Sequence, residues 1–195
     1  MAGSTVRWEG CAPTEQQRIY IANHSSHLDF IVLWSYLPAW LRRRTRPVAA
    51  RDYWERNPIR RYLAAHVFNA VLIDRAAAPG AVPGQLGRQA VDQMLEGLGG
   101  QHSLILFPEG TRGAGEDLAA FRSGLFYLCR ARPEVDVVPV YLDNLNRILP
   151  KGHLLPVPML SRITFGTPLR LQAEETKDAF LERARQSVRA LKAAV

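Results

Sequence analysis

The sequence is poor in cysteine and has no long hydrophobic run. Cys11 and Cys129 are the two cysteines among 195 residues, and their separation fits neither a redox pair nor a set of zinc ligands. We interpret both as free thiols in a reducing compartment, with a single disulfide as the alternative. The longest apolar stretch runs from Phe30 to Leu41, shorter than the roughly 18 residues of a membrane-spanning helix, so we expect no such helix. The first residues of the sequence do not show the positively charged segment followed by an apolar segment that is typical of a signal peptide, so we expect none.

Histidine is also scarce, with 5 in the chain. His24, His27 and Asp29 superficially resemble the ligands of a metallohydrolase, but such a site usually needs further histidines. The remaining ones stand in no recognisable ligand motif: His66, His102 and His153. We therefore expect no metal ion.

What the chain does have is an excess of positive charge. Its formal net charge of +7 favours anionic partners, which include phosphate esters, anionic lipid surfaces and nucleic acid. A nucleic-acid-binding platform would interleave aromatic and basic side chains, and no such motif is present. We therefore expect no nucleic-acid partner.

Strands and helices alternate along the chain. The predicted strands are Arg18–Asn23, Val48–Ala50, Val71–Ile73, Ser103–Phe107, Val135–Tyr141 and Arg162–Phe165. A first predicted helix begins after Ser25 or Ser26, and a second runs from Tyr53 to His66 with a break near Pro58. Two more helices are predicted from Leu86 to Leu98 and from Ser123 to Arg130. The last is an amphipathic helix over about 174–193. This alternation predicts one α/β domain over residues 1–195.

A polar segment, Asn23-His-Ser-Ser-His-Leu-Asp29, follows the first of these predicted strands. Asp29, in the first helical turn, can accept the Nδ1 proton of His24 in the preceding loop. That contact fixes the imidazole tautomer and leaves Nε2 free to take a proton from a hydroxyl group. The pair is then the His-Asp half of a hydrolase triad, with the nucleophile supplied by a substrate. Taken alone, the spacing also fits a histidine that caps a loop.

A second motif, Phe107-Pro-Glu-Gly-Thr-Arg112, follows another apolar strand. Arg112 can bind a phosphate through two parallel hydrogen bonds, and Gly110 lets the backbone approach a ligand closely. Glu109 could orient Arg112 or accept a hydrogen bond from a ligand hydroxyl. The alternative is a turn that carries an ion-paired Glu and Arg.

Together the two motifs resemble the glycerolipid acyltransferase family, whose best-known members acylate glycerol-3-phosphate and 1-acylglycerol-3-phosphate. Weaker family blocks follow in order over about residues 18–170: Phe68–Arg75, Phe121–Gly124, Val138–Tyr141 and Phe165–Leu169. Two positions depart from the family pattern, because Phe68 replaces a common Gly and Arg122 replaces a Lys.

The resemblance implies a mixed, mostly parallel central sheet flanked by helices, and an O-acyltransferase. His24 would be the general base, and Asp29 would orient it. Substrate binding is implied for Arg75, Glu109, Gly110, Thr111 and Arg112. The donor would be acyl-CoA or acyl carrier protein, with no further cofactor. The acceptor would be a lysophospholipid, first of all 1-acylglycerol-3-phosphate, with a lyso-ornithine lipid, another lysophospholipid or glycerol-3-phosphate as alternatives. A non-catalytic lipid-binding protein is a further alternative.

Lipid substrates imply a peripheral enzyme on the cytoplasmic, inner face of the cell membrane. A candidate interfacial anchor combines four apolar residues with a basic cluster: Trp34, Leu37, Trp40 and Leu41, then Arg42, Arg43, Arg44 and Arg46. The alternative is a core helix followed by a solvated loop. We expect the C-terminal helix to pack against the domain and not to be a second anchor.

Overall fold

In the part of the chain that the structure describes, seven strands form one sheet. The structure is a computed structural model and describes residues 5–25, 29–75, 82, 84–111, 117–143 and 162–193. The strands are β1 (Thr5–Trp8), β2 (Arg18–Ala22), β3 (Thr45–Ala50), β4 (Val71–Ile73), β5 (Ser103–Leu106), β6 (Asp136–Asp143) and β7 (Arg162–Phe165). The helices are α1 (Asp29–Tyr36), α2 (Ala39–Arg42), α3 (Arg51–Trp54), α4 (Pro58–Tyr62), a π-helical turn (Leu63–Val67), α5 (Gln85–Leu98), α6 (Gly124–Ala131) and α7 (Lys177–Ala193).

The sheet is mixed but mostly parallel, in the order β1-β7-β6-β2-β5-β3-β4. The five strands from β6 to β4 are parallel to one another, so their carboxyl ends share one edge of the sheet. β7 pairs antiparallel with β6, and β1 pairs parallel with β7. The predicted α/β architecture, with helices flanking a mostly parallel sheet, is confirmed.

Alternating side chains of the central strands build two cores, one on each face of the sheet. In β2, Ile19 and Ile21 belong to the first core, whereas Tyr20 and Ala22 belong to the second. Helices α5, α6 and α7 cover the first core. Helices α1, α2 and α3 and the π-helical turn cover the second. Because both faces are covered, β2 is buried at all five positions, as expected for a central parallel strand.

Several element boundaries differ from the predicted ones. β3 begins at Thr45 and not at Val48, since its first half pairs with β5 and its second half with β4. The predicted break near Pro58 is confirmed, because α4 starts afresh at Pro58, where the Asn57 side chain accepts a hydrogen bond from the backbone N–H of Ile59 at 2.8 Å.

The edge strand β1 was not predicted from the sequence. It is only four residues long, and its pairing partner β7 lies more than 150 residues later in the chain. The ring of Trp8 stacks on Phe165 with 3.9 Å between centroids. Such a short strand at the edge of a sheet depends on this distant partner, which sequence periodicity does not show.

The predicted interfacial anchor is wrong for its two leucines. Leu37 and Leu41 are 2% and 1% exposed and belong to the second core, because α1 and α2 pack against the sheet. The arginines do not form one solvated loop either. Arg44 donates a hydrogen bond to the backbone carbonyl of Gln101, and Arg46 donates to the carbonyls of Asn69 and Gly97.

The C-terminal helix packs as predicted. It starts at Lys177, three residues after the predicted start at Glu174. Four residues of α7 at helical spacing are buried: Phe180, Ala184, Val188 and Leu191. Among the described residues, no helix is both long enough and apolar enough to cross a membrane.

Two glycines of α5 make a matched test of how tightly this helix approaches the sheet. A Cβ on Gly97 would lie 2.3 Å from a methyl carbon of Val71 in β4, whereas a Cβ on Gly87 would meet nothing within 4 Å. We expect Gly97→Ala to lower the free energy of unfolding by about 1–3 kcal/mol through overpacking. We expect Gly87→Ala to raise it by about 0.5–1 kcal/mol through helix propensity. Urea unfolding measures both, and equal stabilisation by the two alanines would contradict the close approach.

Candidate active site

The residues singled out in the sequence meet at the carboxyl edge of the parallel strands. His24 follows β2, the Phe107–Thr111 segment follows β5, and Arg75 follows β4. Open parallel sheets bind ligands at this edge, in the crevice beyond the ends of the strands. Arg112 lies outside the described residues, and so does His27.

His24 and Asp29 are in direct contact. The His24 Nδ1 atom lies 2.9 Å from Asp29 Oδ2, and the same oxygen accepts a hydrogen bond from the Ser25 backbone N–H at 2.6 Å. Asp29 is fully buried, while the His24 side chain is 23% exposed. The buried carboxylate therefore holds the ring from behind, and Nδ1 carries the proton in the tautomer that this contact favours. That tautomer leaves Nε2 with a lone pair for a substrate proton.

The backbone of His24 is held by Glu109, which lies 85 residues later. Glu109 is 4% exposed. Its Oε1 accepts a hydrogen bond from the His24 N–H at 2.9 Å, and its Oε2 accepts one from the Ala119 N–H, also at 2.9 Å. The carboxylate thus joins the first motif to the second and to the segment before α6. This arrangement assigns Glu109 a role in positioning the His24 backbone, which the sequence did not suggest.

The turn that follows β5 depends on a glycine. Gly110 has φ +70°, and a Cβ there would lie 2.1 Å from Arg122 Nε. The Arg122 side chain lies across this turn and donates a hydrogen bond from Nε to the Glu109 carbonyl at 3.2 Å. The ring of Phe107 stacks on the His24 ring, with 4.5 Å between centroids. Gly110 therefore gives Arg122 the room to brace the turn beside the histidine.

A cleft of about 440 Å³ opens beside this turn. Its lining includes His24, Gly110 and Thr111 at one side and Arg75 at another, so four of the predicted site residues face the same space. Apolar side chains line it as well, namely Phe30, Val48, Trp54, Ile73, Leu106 and Phe107. The cleft thus combines a basic region with an apolar wall next to the histidine.

Arg75 is in the cleft but already has a partner. Its guanidinium bonds both carboxylate oxygens of Asp52 at 3.1–3.3 Å, and both side chains line the cleft. Arg56 lines the cleft too. Asp52 and Arg56 were not predicted from the sequence. Both follow the end of β3, and the parallel sheet brings that end next to β4 and β5.

Asn23 is another residue that sequence reasoning did not single out as functional. Its side chain donates to the Leu142 carbonyl at 3.0 Å and accepts from the Leu142 N–H at 2.7 Å. This two-bond contact fastens the chain immediately before His24 to β6. Its position next to the histidine was the one available signal, but the partner lies 119 residues away.

Metal binding has no support in the described part of the site. Within the ranges that the structure describes, no group of three histidine, cysteine, aspartate or glutamate side chains is placed to hold an ion. The expectation that the reaction needs neither a metal nor a further cofactor stays a prediction.

We expect Glu109→Gln to destabilise the protein. The NH₂ group of the glutamine would replace one carboxylate oxygen and face the backbone N–H of either His24 or Ala119. That buried N–H would then lose its acceptor. The expected loss in the free energy of unfolding is about 1–3 kcal/mol. Urea unfolding measures this loss. The same change at the exposed Glu174 is the control and should stay within about 0.5 kcal/mol. If Glu109→Gln and Glu174→Gln had the same free energy of unfolding, the bridging role of Glu109 would be contradicted.

Known proteins share both the sequence pattern and the fold. The model of the Acyltransferase family matches residues 5–143. A 1-acyl-sn-glycerol-3-phosphate acyltransferase of Limnanthes douglasii is 31% identical over 161 residues, which cover 80% of this chain and 52% of that protein. The 1-acyl-sn-glycerol-3-phosphate acyltransferase beta of Homo sapiens is 30% identical over 130 residues, which cover 66% of this chain and 42% of that protein. The chain spans about half the length of the curated relatives it matches.

A solved structure shows the same architecture. The crystal structure of the 1-acyl-sn-glycerophosphate (LPA) acyltransferase PlsC from Thermotoga maritima matches with a TM-score of 0.68 at 22% sequence identity. The match covers 97% of this chain and 73% of that chain. At this identity the likeness shows the fold, and the chemistry has to be argued from the site.

Proposed function

Because the chain belongs to the Acyltransferase family, as the resemblance implied, we propose that it moves a fatty acyl group from a thioester to the free hydroxyl of a lysophospholipid. The first candidate acceptor is 1-acylglycerol-3-phosphate, and the product would be phosphatidic acid. The observation that carries this proposal is the His24–Asp29 pair at the wall of a cleft that also contains arginine.

The proposed chemistry starts at His24 Nε2, which takes the proton of the acceptor hydroxyl as the oxygen attacks the thioester carbonyl. The C–O bond forms, the tetrahedral intermediate collapses, and the C–S bond breaks. The imidazolium then returns its proton to the leaving thiolate. Asp29 stabilises the transient positive charge on the ring, and no acyl-enzyme is needed because the substrate supplies the nucleophile.

The basic part of the cleft supports an acceptor that carries phosphate. Arg75 and Arg56 line the same space as His24, and guanidinium groups bind phosphate through paired hydrogen bonds. Asp52 offsets part of the Arg75 charge and holds the guanidinium in place. We include Arg112 as a further phosphate-binding residue in this proposal, because it belongs to the second motif. Thr111 and Gly110 line the cleft beside it.

The apolar part of the cleft supports a fatty acyl substrate. Phe30, Trp54 and Phe107 line the same cleft as His24. Apolar side chains of this kind bind a hydrocarbon chain because they remove it from water. A lipid acceptor further implies that the enzyme works as a peripheral protein at the inner face of the cell membrane. Acyl-CoA and acyl carrier protein are both included as donors in this proposal.

The test is acyl transfer by the purified protein. It is incubated with 1-acylglycerol-3-phosphate and palmitoyl-CoA or palmitoyl carrier protein, and thiol release and phosphatidic acid are followed by mass spectrometry. Phosphatidic acid formation supports the proposal, and the donor that gives it identifies the thioester. Product from glycerol-3-phosphate, lyso-ornithine lipid or another lysophospholipid alone would reassign the acceptor. Tight lipid binding without turnover of any acceptor would favour a non-catalytic lipid-binding protein.

A further inference from the structure

Helix α4 and the π-helical turn present large apolar side chains to solvent. Their inner face packs on the second core through Ala64, with Phe68 immediately after the turn, and these residues are 1% and 8% exposed. The outer face carries Ile59, Tyr62 and Val67, which are 70%, 61% and 44% exposed. A helix whose core contact is already made on one side has no folding reason to expose Ile and Tyr on the other. Ile59 and Tyr62 are three residues apart on α4 and so share one side of the helix. Exposed apolar side chains grouped in this way mark interaction sites.

The same segment is basic throughout. Arg56, Arg60 and Arg61 lie on or next to α4, and no Asp or Glu occurs between Arg56 and Ile73. Among the described residues, no carboxylate forms an ion pair with any of these three arginines. We call the six residues of this surface the α4 face: Arg56, Ile59, Arg60, Arg61, Tyr62 and Val67. Apolar side chains flanked by arginines are the composition of a surface that enters the headgroup region of an anionic bilayer.

The α4 face adjoins the mouth of the cleft. Arg56 belongs to the face and also lines the cleft. The Arg60 guanidinium lies 4.4 Å from the centroid of the Tyr53 ring, and Tyr53 is a second lining residue. A bilayer seated on α4 would therefore lie next to the entrance used by a lipid acceptor.

We propose that the α4 face docks the protein on an anionic lipid bilayer, so that a lysophospholipid passes from the membrane into the cleft. This inference rests on the proposed function for the identity of the lipid but not for the docking itself. It replaces the anchor predicted at Trp34–Leu41, whose leucines are in the core. Positive charge on the face complements anionic headgroups, and Ile59 and Tyr62 supply the apolar area that enters the interface.

The test measures partitioning of the whole chain onto sedimented vesicles of phosphatidylcholine, with and without phosphatidylglycerol. We expect binding to the anionic vesicles that weakens with added salt. The double variant Ile59→Ser, Tyr62→Ser should partition about tenfold more weakly because it loses the inserted apolar groups. Arg61→Glu should weaken binding to anionic vesicles by about tenfold at low salt and flatten the salt dependence.

A matched control lies on the opposite layer of the molecule. Tyr127 and Arg130 are exposed on α6, and the double variant Tyr127→Ser, Arg130→Glu should partition like the wild type. Equal partitioning of all variants would overturn the proposal. A second outcome would also overturn it: the wild type does not bind vesicles but forms a dimer, and the double variant Ile59→Ser, Tyr62→Ser is a monomer. The α4 face would then bind a second copy of the chain.

Activity separates this proposal from the proposed function. If the wild type acylates 1-acylglycerol-3-phosphate, the variants of the α4 face should lose activity on vesicles and keep it on detergent-dispersed acceptor. Equal losses on both acceptor forms would overturn the docking role. Vesicle binding does not require turnover. A wild type that binds vesicles through the α4 face but acylates no acceptor would therefore contradict the proposed function and still support the docking surface.

Discussion

Replacing His24 with alanine is expected to lower kcat/KM for acyl transfer by about 10²-fold to 10⁴-fold, the usual contribution of a positioned general base. This corresponds to about 2.7–5.5 kcal/mol of lost transition-state stabilisation. The fold should survive, because the ring is partly exposed and the Glu109 contact uses the backbone N–H of residue 24, which alanine retains. Steady-state kinetics of thiol release measures the effect.

The control for this substitution is His102→Ala. His102 precedes β5 and so lies at the amino end of the parallel strands, away from the cleft. Burial beside Arg46 and Arg44 lowers its pKa, and this neutral imidazole has no part in the proposed chemistry. Its variant should keep wild-type kcat/KM. If His24→Ala kept full activity with thermal unfolding unchanged, another group would have to be the base.

The second large effect is expected for Asp29→Asn, with a loss in kcat of about 10³-fold to 10⁴-fold. Asp29 Oδ2 contacts both the Ser25 N–H and His24 Nδ1, so an asparagine oxygen in the same place would keep both contacts. The neutral amide carries no negative charge, and it would no longer stabilise the imidazolium that forms when Nε2 takes the hydroxyl proton. The loss would therefore come from the missing charge in an almost unchanged geometry.

Two further measurements make the Asp29 prediction specific. Asp92→Asn changes an exposed carboxylate on α5 in the same way and should leave kcat unchanged. The double variant His24→Ala, Asp29→Asn should be no slower than His24→Ala alone, because Asp29 acts through the histidine. Additive losses in the double variant would show that Asp29 contributes independently of His24.

The contact between His24 and Asp29 was predictable because it is local. His24 and Asp29 are five residues apart, and a strand-loop-helix pattern around them is enough to bring a first-turn carboxylate under the ring. The buried strands around the site were predictable for a similar reason, since short apolar runs such as Val71–Ile73 and Ser103–Leu106 carry their own signal. Family membership followed from the order and spacing of the motifs.

The supporting contacts were not predictable because they join distant parts of the chain. Glu109 meets His24 across 85 residues, and Asn23 meets Leu142 across 119 residues. Both depend on β2 lying between β5 and β6, an order that no local pattern encodes. The sequence suggested that Glu109 orients Arg112 or accepts a hydrogen bond from a ligand hydroxyl, whereas the structure places its carboxylate oxygens on two backbone N–H groups.

The two candidate membrane surfaces show the same limit. The sequence analysis singled out Trp34–Leu41 and did not consider the α4 segment, although both combine apolar and basic residues. Packing against the sheet buries Leu37 and Leu41, while the α4 segment buries Ala64 and leaves Ile59 and Tyr62 outside. Which apolar side chains face water depends on the orientation of each helix on the sheet.

The sequence by itself determined the α/β class, the family and the His24–Asp29 pair, because each depends on residues close together in the chain or on the order in which the motifs follow one another. The tertiary structure decided which strands are neighbours, and therefore which side chains share the cleft. It also decided that Arg75 pairs with Asp52 and that α4 presents the exposed apolar face. The physical reason is that local hydrogen bonding and periodicity act over a few residues, whereas strand order and burial arise from contacts between segments far apart in the chain.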